Sequence, residues 1–248
     1  MLDAPEGARE FAVFERLSGR PPLAALQRLG KADAQTLTGV RALGDSLARI
    51  HPAGETYAGP ASRYRLDAEH LIERPLAQIL AAVDEPLAAK ASKLGESLRA
   101  RLAACASELS VGHCHGDNHG GNALIADGPD GEPVVGWFDF DDGGPGFLAY
   151  DLATFLWSFL LHARGTEMNE ASRPLWPAFI AGYRNACPIA PADFAAIGFF
   201  VAIRHVNFLG QHVSRIPEWG SVNVSADRIR GELRLVRDWA GMATPSAI

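Results

Sequence analysis

Apolar residues recur at helical spacing over most of this chain and at strand spacing in one short central region. From Gln35 to Ile50 the positions Leu37, Val40, Leu43, Leu47 and Ile50 fall three and four apart, and His51-Pro52 ends the run, so an amphipathic helix is predicted there. Asp67 to Val83 and Glu85 to Leu109 carry the same period, with Pro75 expected to kink or split the first. Four more helices are expected over Leu148 to Ala163, Pro174 to Ala186, Pro191 to Ile216 and Ser225 to Met242. Near the start, Glu10 to Leu17 is a short run with aromatic and β-branched residues, closed by Ser18-Gly19-Arg20-Pro21-Pro22. It reads as the only strand of the first hundred residues.

The centre differs in kind. Asn122 to Ala126 and Pro133 to Phe140 flank the turn-rich connection Asp127-Gly128-Pro129-Asp130-Gly131-Glu132, which predicts a hairpin. If Ala126 faces Val135, Leu124 faces Trp137 and Asn122 faces Asp139. Facing residues have Cα atoms about 4.5–5.5 Å apart, so two hard oxygen ligands become neighbours able to hold one Mg²⁺ together with a substrate phosphate. Asp117 precedes the hairpin in a loop flanked by Gly116, Gly120 and Gly121. Its carboxylate would face the same ion-bound phosphate without being a ligand, the place of a base that takes a hydroxyl proton in phosphoryl transfer. Singly, each is more often a turn residue, and it is the combination that points to a site.

Composition narrows the partners. With 248 residues, 48% apolar side chains and a net charge of −6, the chain has material for a sizeable core and no basic field to concentrate nucleic acid. The apolar runs Leu152 to Leu161 and Ala195 to Ile203 are about half a membrane span, and Arg204 closes the second. Three widely spaced cysteines disfavour a disulfide framework, and no cationic segment followed by an apolar run opens the chain, so a cytoplasmic protein without membrane or nucleic-acid partners is expected.

The block His115-Gly116-Asp117, Asn122, Asp139-Phe140-Asp141 and Asp151-Leu152-Ala153 resembles the aminoglycoside phosphotransferase and choline kinase superfamily in order and spacing. Within it, the HGDxHxGN form, the string of acids and a hinge-like Phe11-Ala12-Val13-Phe14 look most like the bacterial stress response kinase A branch. The resemblance implies a mostly helical α+β fold: the C-terminal lobe of a protein-kinase-like fold with a central β-hairpin and a remnant N-lobe strand and hinge. Residues 1–22 would be that remnant and 23–248 the phosphotransferase lobe. It further implies ATP- and Mg²⁺-dependent transfer to a hydroxyl of a protein Ser/Thr or a small alcohol. Asp117 would be the catalytic base and Asn122 and Asp139 the Mg²⁺ ligands, with Asp141 either a further ligand or a substrate contact. His115 and Asp151 would be structural supports, and the hinge backbone at Glu15 and Leu17 would bond the adenine edge.

Kinases of this fold grip the nucleotide with a strand lysine and a glycine-rich loop. The three lysines here, Lys31, Lys90 and Lys93, all follow the hinge, so a truncated, weak or inactive form of a full kinase is expected. The alternatives are a non-catalytic nucleotide- or metal-binding module and, drawing on His113, Cys114, His115, Asp117 and His119, a zinc hydrolase. Arg204, His205 and Asn207, in a mostly apolar helix, either point into a substrate cleft or sit satisfied at the edge of the core, and the second is the expectation.

Overall fold

The computed structural model describes residues 2–4, 7–9, 15–53, 64–220 and 224–247. Two three-residue strands, β1 (Leu2–Ala4) and β2 (Gly7–Arg9), pair antiparallel at the start. They correct the expectation of a single early strand, since three residues are too few to carry a readable alternation. The predicted strand from Glu10 lies mostly outside the described residues, as does the hinge-like Phe11–Phe14. Its described end, Glu15 to Leu17, is not strand. Instead Arg20 bridges Ile125 antiparallel.

Helices follow: α1 (Ala24–Leu29), α2 (Ala34–Ala53), α3 (Arg74–Ala81) and α4 (Glu85–Cys105). Asp33 caps α2 by accepting from Thr36 N at 2.8 Å, and Asp84 caps α4 by accepting from Leu87 N at 3.2 Å. A π-helical turn, Glu69–Glu73, runs into α3. Pro75, with no N–H to donate, sits in the first turn of α3, where none is needed, so the expected kink becomes a change of helix type.

Four short strands then form two separate pairs. Strand β3 (Val111–Cys114) pairs antiparallel with β6 (Gly144–Phe147), and β4 (Ala123–Asp127) with β5 (Pro133–Trp137). The helices α5 (Leu148–Ala163), α6 (Leu175–Ala186), α7 (Pro191–Ser214), α8 (Ile216–Trp219) and α9 (Ala226–Ala240) complete the chain. Helix α7 is the hub, packing on α3, α5 and α9. It is long and apolar enough to cross a membrane, but 78% of its apolar window is buried in the fold. A core helix of a globular protein shows that pattern.

Helices α2 and α6 approach until their backbones touch. A Cβ on Gly182 would lie 1.8 Å from the Arg41 carbonyl oxygen, and one on Gly44 would lie 2.0 Å from that of Phe179. Backbone on both sides leaves nothing to give way. Gly182→Ala is therefore expected to lower stability by about 1–3 kcal/mol, read as a fall in melting temperature. Gly231, in the middle of α9 with open space around its Cβ position, supplies the control. Gly231→Ala should hold or raise the melting temperature, by roughly 0.5–1 kcal/mol of helix preference.

Candidate active site

The hairpin register differs from the expected one by a single residue. Ala123 faces Trp137, Ile125 faces Val135 and Asp127 faces Pro133, because the connection closes around five residues, with Gly128 N donating to the Glu132 carbonyl at 2.8 Å. A slip of one residue exchanges the faces of a strand. Asn122 thus lies across from Phe138, whose N–H donates to the Asn122 carbonyl at 3.1 Å, and not across from Asp139. The chain turns at Asp139, a non-glycine residue at φ 64°. A left-handed conformation of this kind is held only where surroundings dictate it, often at functional sites.

The loop between β3 and β4 carries His115, Asp117 and Asn122. Gly116 has φ 84°, and a Cβ there would lie 2.0 Å from the Asp142 carbonyl oxygen. Only glycine combines that angle with that approach. Buried His115 receives the Asp117 N–H at Nδ1 (3.3 Å). A backbone N–H only donates, so Nε2 carries the imidazole proton and donates it to the Phe138 carbonyl at 3.1 Å. The ring thereby ties the loop to the end of the hairpin.

Asp151, in the first turn of α5, lies fully buried beneath the loop. Its Oδ2 accepts from His115 N at 2.7 Å and from His51 Nε2 at 3.1 Å, and its Oδ1 accepts from Gly116 N at 2.9 Å. His51 Nδ1 in turn bonds the Tyr183 hydroxyl at 2.7 Å. Burial pushes the Asp151 carboxyl up, yet the bond from His51, the nearby His51 and His115 rings, and the Gly116 N–H hold it net below its ordinary value. His51, Cys114 and Asp151 form the one cluster of potential metal ligands among the described residues. Each is engaged in protein bonds, with Cys114 Sγ directed to the Phe147 carbonyl. Of the zinc set drawn from residues 113–119, only Cys114 falls in it.

Asp117 is partly exposed, and both its oxygens are engaged. Arg204 Nη2 donates to Oδ1 at 2.5 Å and Asn122 Nδ2 to Oδ2 at 3.2 Å, while His119 Nε2 stands 3.7 Å from Oδ2. Asn122 Nδ2 also donates to the Asp117 carbonyl at 2.8 Å. Two acceptors on one side fix the orientation of the amide, so its Oδ1 is directed away from Asp117 and remains available as a hard oxygen donor. Burial pulls the His119 imidazole below its ordinary value, against the opposing charge of Asp117, and the charge of Asp139 also reaches it. Glu15 and Leu17 are exposed, with Leu17 lying over Gly136 of β5. Val134, which shares that face of the strand, and Phe138, just beyond its end, are exposed as well.

Residues 2–186 match the phosphotransferase enzyme family. The chain belongs to that family. It is 39% identical over 241 residues to an uncharacterized protein of Deinococcus radiodurans, covering 96% of this chain and 65% of that one. It is 29% identical over 179 residues to a homoserine kinase of Rhodospirillum rubrum, covering 71% of this chain and 51% of that one. The chain thus spans from about half to 65% of the length of these curated relatives. Its fold is shared with a microcompartment-associated aminopropanol kinase, at TM-score 0.57 and 23% identity over 85% of this chain and 64% of that chain. It is also shared with an amicoumacin kinase solved with AMP-PNP and Ca²⁺, at TM-score 0.62 and 21% identity over 91% and 63%. The mostly helical α+β, kinase-like architecture expected from the sequence is the fold found.

Within this phosphotransferase fold, sequence reasoning undervalued Arg204 and passed over His51, Tyr150 and Trp157. Of the two places expected for Arg204, the cleft-facing one fits, since it reaches Asp117 from α7. The one sequence signal was a lone arginine closing an apolar run, which says that a partner exists and not which one. His51 read as a helix stop, whereas α2 runs through His51 and Pro52 to Ala53 and the His51 ring bonds the buried carboxylate.

Proposed function

We propose that the protein transfers the γ-phosphoryl group of ATP to the hydroxyl of a small molecule, with residues 23–248 as the catalytic lobe. The observation that carries this reading is the Asp117 carboxylate, held on both oxygens by Arg204 and Asn122 beside an amide oxygen left for a cation. Asp117 is the base that receives the acceptor's hydroxyl proton. Asn122 Oδ1 and Asp139 are oxygen donors of the hardness Mg²⁺ prefers, and Asp141 is read as a further ligand or acceptor contact. When bound, Mg²⁺ would neutralise charge on the transferred group. His115 and Asp151 hold the loop that presents Asp117.

An adenine ring fits the exposed apolar strip of Leu17, Val134 and Phe138 as its floor, with the main chain of Glu15 to Leu17 as its edge partner. The acids Asp139, Asp141 and Asp142 suit an acceptor bearing a cationic group. The kinship with homoserine kinases supports a small alcohol over a protein Ser/Thr.

The test is ATP consumption across a panel of amino alcohols and hydroxy amino acids, for this chain and for a version extended upstream. No turnover in either form with any acceptor would overturn the reading. Asn122→Ala should weaken MgATP binding roughly tenfold or more, by analogy with losses at metal sites, while leaving metal-free ATP binding unchanged. Calorimetry with and without Mg²⁺ measures this, and equal losses in both conditions would remove Asn122 from the metal site.

A further inference from the structure

We propose that Arg204 is the positioning residue for Asp117, fixing the direction of the carboxylate and holding the two acidic loops of the site together. The inference rests on the phosphotransferase reading and adds a residue to it.

A charge inside an apolar helix is costly unless it is paired, and Arg204 is 3% exposed in the middle of α7. Its partners face the site. Nη2 donates to Asp117 Oδ1 at 2.5 Å, and Nη1 lies 3.9 Å from Asp142 Oδ2. Nη1 also donates to the Tyr150 hydroxyl and to Asn207 Oδ1, both at 3.4 Å. Nε is buried and has no partner among the described residues. Full satisfaction of this guanidinium has therefore not set its orientation; contact with Asp117 has.

Three helices hold it there. The guanidinium carbon sits 4.7 Å above the Trp157 ring of α5. The indole N–H, a donor only, gives its proton to His205 Nδ1 at 3.1 Å. His205 Nε2 therefore carries its own proton and donates it to Glu232 Oε2 of α9 at 2.9 Å. Arg164 closes the series on Glu232 at 2.8 Å. Trp157 is thus fixed from behind, and its ring face fixes Arg204.

The consequence for Asp117 is geometric. With Oδ1 drawn to Arg204 and Oδ2 to Asn122, the carboxylate cannot rotate about its terminal bond without losing both contacts, so the lone pairs left for an acceptor hydroxyl point one way. Orientation of this kind is worth as much as about 10²-fold in rate when a reacting group is misplaced by about 1 Å. Because the same cation lies near Asp142, the loops at residues 115–119 and 140–143 are drawn together where Gly116 already touches the Asp142 backbone.

A double-mutant cycle on turnover tests the proposal. Arg204→Met is expected to lower kcat by about 10- to 100-fold, with KM for ATP and for the acceptor within about threefold of wild type. Arg204→Lys, which keeps a charge on a shorter tether, should restore part of the loss. In an Asp117→Asn background, Arg204→Met should cost little more, because the group it positions has gone. An equal loss in both backgrounds would overturn the proposal and place the guanidinium on the phosphoryl group instead, as would a loss confined to KM for ATP. Should Arg204→Met not fold, Tyr150→Phe removes one tether of the arginine and should lower kcat in the same direction by a smaller factor; unchanged kcat there counts against the proposal. Asp117→Asn turning over like wild type is a separate result, which removes Asp117 as the base, whereas absence of turnover in the wild type with every acceptor sinks the phosphotransferase reading itself.

Discussion

Asparagine at position 117 is expected to lower turnover by about 10²- to 10⁴-fold, the range for loss of a general base, while leaving the protein folded. The substitution keeps size and shape. An asparagine oxygen in place of Oδ1 still accepts from Arg204, but the new amide nitrogen meets the Asn122 Nδ2 donor across the 3.2 Å contact. That bond is lost, and the Arg204 cation loses its nearest negative charge, although Asp142 remains 3.9 Å away. Asp117 is partly open to water, so the stability cost should stay near the ~1–3 kcal/mol of an unsatisfied polar group. Steady-state kinetics and a melting curve on the same preparation separate the two effects. Turnover within threefold of wild type would remove Asp117 from the chemistry.

The largest effect on stability is expected at Asp151. One fully buried carboxylate accepts two backbone N–H groups of the loop and one imidazole N–H. Asp151→Ala leaves all three donors without an acceptor, and removing one partner of a buried ionic network costs about 3–5 kcal/mol, a large share of the ~5–15 kcal/mol that typically holds a domain together. Asp151→Asn does little better, because its amide nitrogen must face one of those donors. The pH dependence has a definite sign. The folded carboxyl sits below its ordinary value of 3.8, so it contributes stability that is fully present above that value and is lost as pH falls through the lower, folded one. Denaturant midpoints followed from about pH 5 down to about pH 2 should therefore drop more steeply toward acid in the wild type than in Asp151→Ala. Parallel curves would show that the charge of Asp151 does not stabilise the fold.

Long, periodic elements were legible in the sequence. The expected helix over Leu148 to Ala163 is α5 to the residue, because a run apolar on every side has only one way to be buried. The pairs β3 with β6 and β1 with β2 were not legible, since four residues such as Val111–Cys114 or the glycine-rich Gly144–Phe147 are too short to show alternation. The hairpin was readable but its register was not. Whether four or five residues close the connection is settled by backbone bonds at Gly128 and Glu132, and that one residue decides what stands opposite Asn122. Proximity in the sequence placed Asp117 and Asn122 in one loop, where their side chains bond. The contact of Arg204 with Asp117 spans 87 residues and exists only once α7 has packed, so no local pattern announces it.

The loop that carries Asp117 is gripped from the interior, by Asp151 below and Arg204 to one side. Where it meets the outer rim, the described bonds go to main-chain oxygens: His115 to the Phe138 carbonyl, and the Tyr64 hydroxyl to the Asp141 carbonyl. The side chains of Phe138 and Asp141 therefore carry little of the loop's anchorage and can be exchanged without unsettling it. Selection can rewrite this rim while the anchorage beneath stays in place.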